Sequence, residues 1–271
     1  MTSDAPKEKK PAAPQWALAA FHLFFEQAER LENVVWLSVQ GISGLRGIPN
    51  IFQVLAEVDE KLPDHDEQLA SARKQADLAQ KEIDLGFPLL FGNATVTLWS
   101  YLESMVRAAL VAWLKNDLSV WQVDTIARLR VRLGEYEQLS PEERLYYVAE
   151  LIESETAAGL RNGIERFEAM LKPFRLEGAV PAQLRRDMFE FGQIRNAIVH
   201  RGGRTDRQLT NSCPWLNLSL GSDLPIGREQ FNRYRRATHN YVLLLICRVG
   251  EQFGRDTTQH RQAVFAEYGA A

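Results

Sequence analysis

The chain is poor in the residues on which most protein chemistry is built. Its two cysteines, Cys213 and Cys247, among 271 residues are too few for a secreted disulfide framework and too far apart for a CxxC redox or zinc motif. A reducing cytoplasm is therefore the expected compartment. Five histidines without paired His/Cys spacing give no reason to expect a metal centre, and no cofactor is expected either. There is no GxxxxGK[ST] loop and not even a Gly-Lys dipeptide, which argues against a P-loop nucleotidase; HExxH and GxSxG are missing too. The Gly41–Gly47 segment spaces its glycines as GxxGxxG after a helical pattern, so it reads as a connection and not as a dinucleotide fingerprint. No run approaches the roughly 18 uninterrupted apolar residues needed to cross a bilayer, so no membrane partner is expected. No internal repeat is found at periods of about 20–50 residues.

What remains is an ordinary globular composition, 45% hydrophobic, 25% charged and 10% aromatic, in a chain long enough to bury a core without a metal or disulfide staple. A net charge of -3 conceals an uneven distribution. Residues 1–171 carry 17 Lys/Arg against 26 Asp/Glu, whereas residues 172–271 carry 15 against 9. The basic half uses arginine almost alone, and the arginine fork suits phosphate.

Helical periodicity dominates. It predicts a flexible leader over 1–14, then helices from Trp16 to about Val39, Ile51 to Leu62 and Asp66 to Leu85, with a Gly-rich loop at 41–49. Residues 87–92 read as a break before the most apolar helix, Ala94–Leu114. Further helices are expected at 119–132, at 141–171 with Ser140 as N-cap, at 181–201 closed by Gly202-Gly203, and at 228–253. Residues 203–227, with Trp215-Leu-Asn-Leu-Ser-Leu220, read as a short β-hairpin or irregular excursion. The expected organisation is an all-α bundle over 65–253, an N-terminal helical extension over 15–62 and a tail over 254–271.

One constellation stands out, at the end of helix 181–201: Phe191-Gly-Gln-Ile-Arg195-Asn196-Ala-Ile-Val-His200-Arg-Gly-Gly203. At 100° per residue, Phe191, Ile194 and Ile198 form one apolar face, and Asn196 and His200 lie one turn apart on the opposite side. Phe189 shares that side, which points to a second buried surface such as a subunit interface. An Arg-x4-His pair is expected about 0.4 times by chance in this composition, and requiring Asn after the Arg lowers this to about 0.02. A second pair, Arg255-Asp-Thr-Thr-Gln-His260, lacks the Asn and an apolar stripe, and reads as accidental.

Arg-Asn-x3-His followed by Gly-Gly at the end of a helix in an all-α chain resembles the HEPN superfamily of helical-bundle ribonucleases, bacterial type. The resemblance covers residues 65–253 and extends to the excursion between the last two core helices. It implies an endoribonuclease acting as a homodimer, in a toxin or antiviral defence role, with an antitoxin or defence-system partner. One family variant carries a modifiable Tyr two residues after the His; this chain has Gly202 there.

The residue types fit that chemistry. Metal-independent RNA cleavage needs a base for the 2′-hydroxyl proton and cationic donors for the phosphorane-like transition state. His200 would be base or acid, Arg195 would clamp the phosphate, and Asn196 would orient either one. One helix offers one His, and an isologous dimer would supply the second. Arg201, Arg204 and Arg207, then Arg235 and Arg236 with Arg228, Arg233 and His239, would extend an RNA groove. Glu103 would form an ion pair with Arg107 or orient Arg195 or His200. The competing readings are a helix-end cation role for His200, a non-catalytic HEPN-like RNA-binding protein, and a protein-interaction scaffold.

Overall fold

The computed structural model describes residues 13–58, 65–157, 163–224 and 226–269. Helices account for most of them: α1 (Gln15–Gly44), α2 (Ile48–Val58), α3 (His65–Leu85), α4 (Pro88–Asn116), α5 (Asp124–Ala127), α6 (Leu133–Tyr136), α7 (Pro141–Ala157), α8 (Ile164–Leu171), α9 (Ala182–Arg201), α10 (Arg207–Ser212), α11 (Arg228–Gln252) and α12 (Thr258–Glu267). Among the described residues there is no strand, only an isolated antiparallel bridge between Arg204 and Asp223. The chain is all-α. Among the described residues, no helix is long and apolar enough to cross a membrane.

The long periodic helices follow the sequence closely, and the breaks explain most departures from it. Ser140 caps α7 as read from its motif: Glu143 N–H donates to the Ser140 hydroxyl at 3.3 Å, and Ser140 N–H donates to the Glu143 carboxylate at 2.8 Å. This is a reciprocal capping box, and the Ser140 bonds hold the Glu143 carboxyl below its usual range. The Gly-rich loop expected at 41–49 is helical instead. Gly44 takes right-handed helical angles (φ -64°, ψ -30°), and a 3-10 turn over Leu45–Gly47 runs directly into α2. A glycine costs a helix only about 1 kcal/mol, too little to force a break. The break expected at 87–92 is confined to Gly86 and Phe87, both at positive φ; Pro88 then opens α4, where its missing N–H costs nothing.

Two expected helices are subdivided. The 119–132 segment is a 3-10 turn (Leu118–Gln122) and the four-residue α5, separated by extended Val123; it buries little beyond Val120 and Ile126. The 141–171 segment is interrupted at Gly163, whose φ of 60° and ψ of -137° suit only glycine. The expected hairpin region holds α10 and a 3-10 turn over Pro214–Leu216. The expected 254–271 tail contains α12, with Val264 buried. Residues 1–12 of the expected leader and 59–62 of the expected second helix lie outside the described residues.

By compactness the chain forms two units: Met1–Glu26, Trp99–Ile194 and Tyr234–Ala271 in the first, Gln27–Leu98 and Arg195–Arg233 in the second. This division runs through α1, α4, α9 and α11, and differs from the expected 15–62 and 65–253 segments. The first unit is built on aromatic contacts. Trp99 meets Phe191 edge-on at 4.9 Å between ring centres, and Phe191 stacks on Tyr234 at 4.9 Å; such geometries add to simple burial. Gly192 lets the helix approach the indole, since a Cβ there would lie 3.0 Å from the Trp99 ring. The buried Tyr234 hydroxyl donates to Glu190 at 2.7 Å.

In the second unit Phe91 packs on Phe231 at 5.9 Å, and Leu209, Cys213, Leu224 and Ile226 of the excursion are buried. Here α2 is unusual. It buries no residue fully, and Ile51, Val54, Leu55 and Val58, at i, i+3, i+4 and i+7, are 44–80% exposed along one stripe.

Candidate active site

The last turn of α9 carries the constellation, and the second unit contains all three of its residues. Arg195 and Asn196 are half-buried, and Arg195 Nη1 donates to Asn196 Oδ1 at 3.2 Å. His200 stands one turn beyond Asn196, where Cβ atoms are about 5–6 Å apart, and it is exposed. Among the described residues its ring makes no side-chain hydrogen bond or ion pair. The carbonyl at the helix end is satisfied differently. Gly202 and Gly203 turn left-handed (φ 61° and 75°), and Gly203 N–H donates to the Ala197 carbonyl at 3.2 Å. The glycine pair thus does the capping that the helix-end reading assigned to His200, leaving the imidazole exposed to solvent.

The helical wheel holds only for this final turn. Further back, Gly192 and Gln193 are buried although they fall on sides away from the apolar stripe. A wheel assumes one free face, and a helix covered on several sides has none. Phe189 is half-buried, and the chain itself covers it: a Cβ on Gly163 would lie 2.9 Å from the Phe189 Cα. Part of the Phe189 burial therefore comes from packing of its backbone within the first unit.

The expected RNA-contact arginines divide between the units. Arg201 is held by an ion pair with Asp206 and a 2.9 Å bond to Gln208. Asp206 also caps α10 through Leu209 N–H at 2.8 Å, so the guanidinium closest to His200 in sequence is anchored. Arg204 and Arg207 are exposed, and Arg204 stands 3.7 Å from Asp223. All three belong to the second unit with His200. Arg235 is half-buried and Arg236 exposed, 3.9 Å from Glu267, both in the first unit. His239 lies there too, 4.9 Å from the Phe25 ring; burial and the neighbouring Arg235 charge lower its pKa.

Glu103 also belongs to the first unit, where its carboxylate is 3.5 Å from Arg166. Arg166 pairs with Glu153, which accepts from Arg107 at 2.7 Å. The Glu153 bond raises the Arg107 pKa. The expected i,i+4 partner Arg107 thus enters a network spanning α4, α7 and α8, a framework that one-helix spacing could not show.

No protein-family model, curated protein or solved structure matches the chain.

Proposed function

We propose that the chain is a metal-independent, HEPN-type endoribonuclease using Arg195, Asn196 and His200. The observation carrying this reading is the junction of a half-buried Arg195–Asn196 hydrogen bond with an exposed His200 one turn away. The amide presets the guanidinium, so less order must be gained when a phosphate docks. His200 takes the proton from the 2′-hydroxyl, the 2′-oxygen attacks the adjacent phosphorus, and the 5′-oxygen leaves as a hydroxyl after accepting a proton. Arg195 bears the charge that develops on the non-bridging oxygens. Separate acid and base roles call for two imidazoles, so the working form is a homodimer bringing two α9 ends to one phosphate. Use as a toxin or in anti-phage defence, under an antitoxin or other partner, belongs to the same reading.

The test is cleavage of a short single-stranded RNA in EDTA, with product ends mapped. The reading requires 2′,3′-cyclic phosphate and 5′-hydroxyl ends, and loss of cutting when the scissile nucleotide is 2′-deoxy. Cutting of the 2′-deoxy substrate, or 3′-hydroxyl products, overturns it. The exposed apolar stripe of α2 favours a second reading, a non-catalytic protein-interaction scaffold. That reading requires intact RNA in the same assay.

A further inference from the structure

The second Arg-x4-His pair, Arg255 to His260, lies at a sizeable cavity. This space of about 620 Å³ is in the first unit, between the start of α1 and helices α11 and α12. Its size falls within the roughly 300–1,000 Å³ that holds small-molecule ligands. Leu18, Leu243, Ile246 and Val264 form an apolar wall. Gly250 helps shape it: a Cβ there would lie 3.0 Å from the Thr257 methyl, so glycine allows the 254–257 turn to lie against α11. Cys247 also lines the space, and burial pushes its thiol pKa up, away from nucleophilic use.

The charged groups at the cavity are not equivalent. Asp256 is engaged by Thr258 N–H at 3.0 Å, and Glu267 accepts from Asn240 at 3.1 Å while facing Arg236. Both carboxylates are therefore partnered within the chain. The exposed Arg255 and His260 side chains make no hydrogen bond or ion pair among the described residues. An apolar cavity with partnered acids and the N–H donors of Arg255 and His260 among its lining matches an amphiphile with an anionic end.

We infer that this cavity binds a small amphiphile, its apolar body against Leu243, Ile246 and Val264 and its carboxylate or similar anionic head at Arg255 and His260. The site is separate from the α9 constellation and stands or falls independently of RNA cleavage.

Isothermal titration of the full chain with sodium decanoate, decanol and decyltrimethylammonium tests it, below the concentrations at which these probes aggregate. Decanoate should bind about tenfold or more tightly than the cationic probe, and Arg255→Gln should remove that preference while retaining decanol. Ile246→Trp should abolish decanoate and decanol binding together. Ala263→Phe, at another lining position, provides a second block if the first variant loses its helical circular dichroism. Absent decanoate binding, equal binding of anionic and cationic probes, or undiminished binding in a folded blocking variant overturns the inference.

Discussion

Glu168 joins three parts of the first unit, and its removal gives a sharp test of how that unit is held. One carboxylate oxygen accepts from the Tyr241 hydroxyl at 2.9 Å and from Arg248 Nη1 at 2.8 Å; the other accepts from Gly178 N–H at 2.8 Å. Arg248 also donates to the carbonyls of Leu176 at 2.8 Å and Ala179 at 3.2 Å. The Arg248 and Glu168 side chains are only 8% and 13% exposed, so little water replaces a lost partner. Glu168→Ala leaves a buried guanidinium, a phenol and a backbone N–H short of their acceptor, a cost of about 3–5 kcal/mol. Against a typical total stability of about 5–15 kcal/mol this is a large fraction. With an m-value of about 3 kcal/mol/M, the urea midpoint followed by far-ultraviolet circular dichroism should fall by about 1 M or more. Glu168→Gln should lose less, because one oxygen remains. A loss below about 1 kcal/mol in Glu168→Ala would refute the assignment of this carboxylate as the shared acceptor.

The same cluster predicts alkaline sensitivity. Burial, followed by the Glu168 charge, raises the Tyr241 pKa well above its ordinary value, so its contribution is full below the unfolded pKa of about 10 and is lost as pH rises towards the higher folded value. Tyr241→Phe should flatten that alkaline limb in a Tm-against-pH series; an unchanged limb contradicts the linkage. Gly192→Ala should destabilise by about 1 kcal/mol or more in urea despite the better helix propensity of alanine, because its methyl meets the Trp99 ring at 3.0 Å; a stabilised variant would contradict that tight approach. If RNA follows the basic flank, Arg204→Gln and Arg207→Gln should each lower the slope of log affinity against log salt by about 0.7–1 in filter binding. Unchanged slopes remove those residues from the interface.

Periodicity made the long helices legible because their apolar and capping signals agree. Ser140, Glu143 and the Gly202-Gly203 stop lie where local chemistry requires them. The errors arise where one signal overrode another. Glycines at 41, 44 and 47 looked like a loop, yet the helical backbone absorbs their modest cost; Gly163 looked unexceptional inside an apolar period, yet its backbone demands glycine. At the site, Asn196 and His200 were legible from spacing on one helix. The Glu153 network and the Glu168 cluster were not, because their members come from separate helices. Arg255 and His260 were visible as a motif but lacked meaning until the 254–257 turn and α12 placed them beside a cavity.

The central claim is that Arg195 and His200 cut RNA without a metal. Its most direct measurement compares the wild-type chain, Arg195→Ala and His200→Ala on mixed RNA in EDTA, with matched folding confirmed by circular dichroism. Wild type should cut, and each variant should lose about 100-fold or more of the rate, the scale expected for a general acid–base or charge-stabilising group. Intact RNA with wild type, or cutting by both variants at the wild-type rate, would contradict the account.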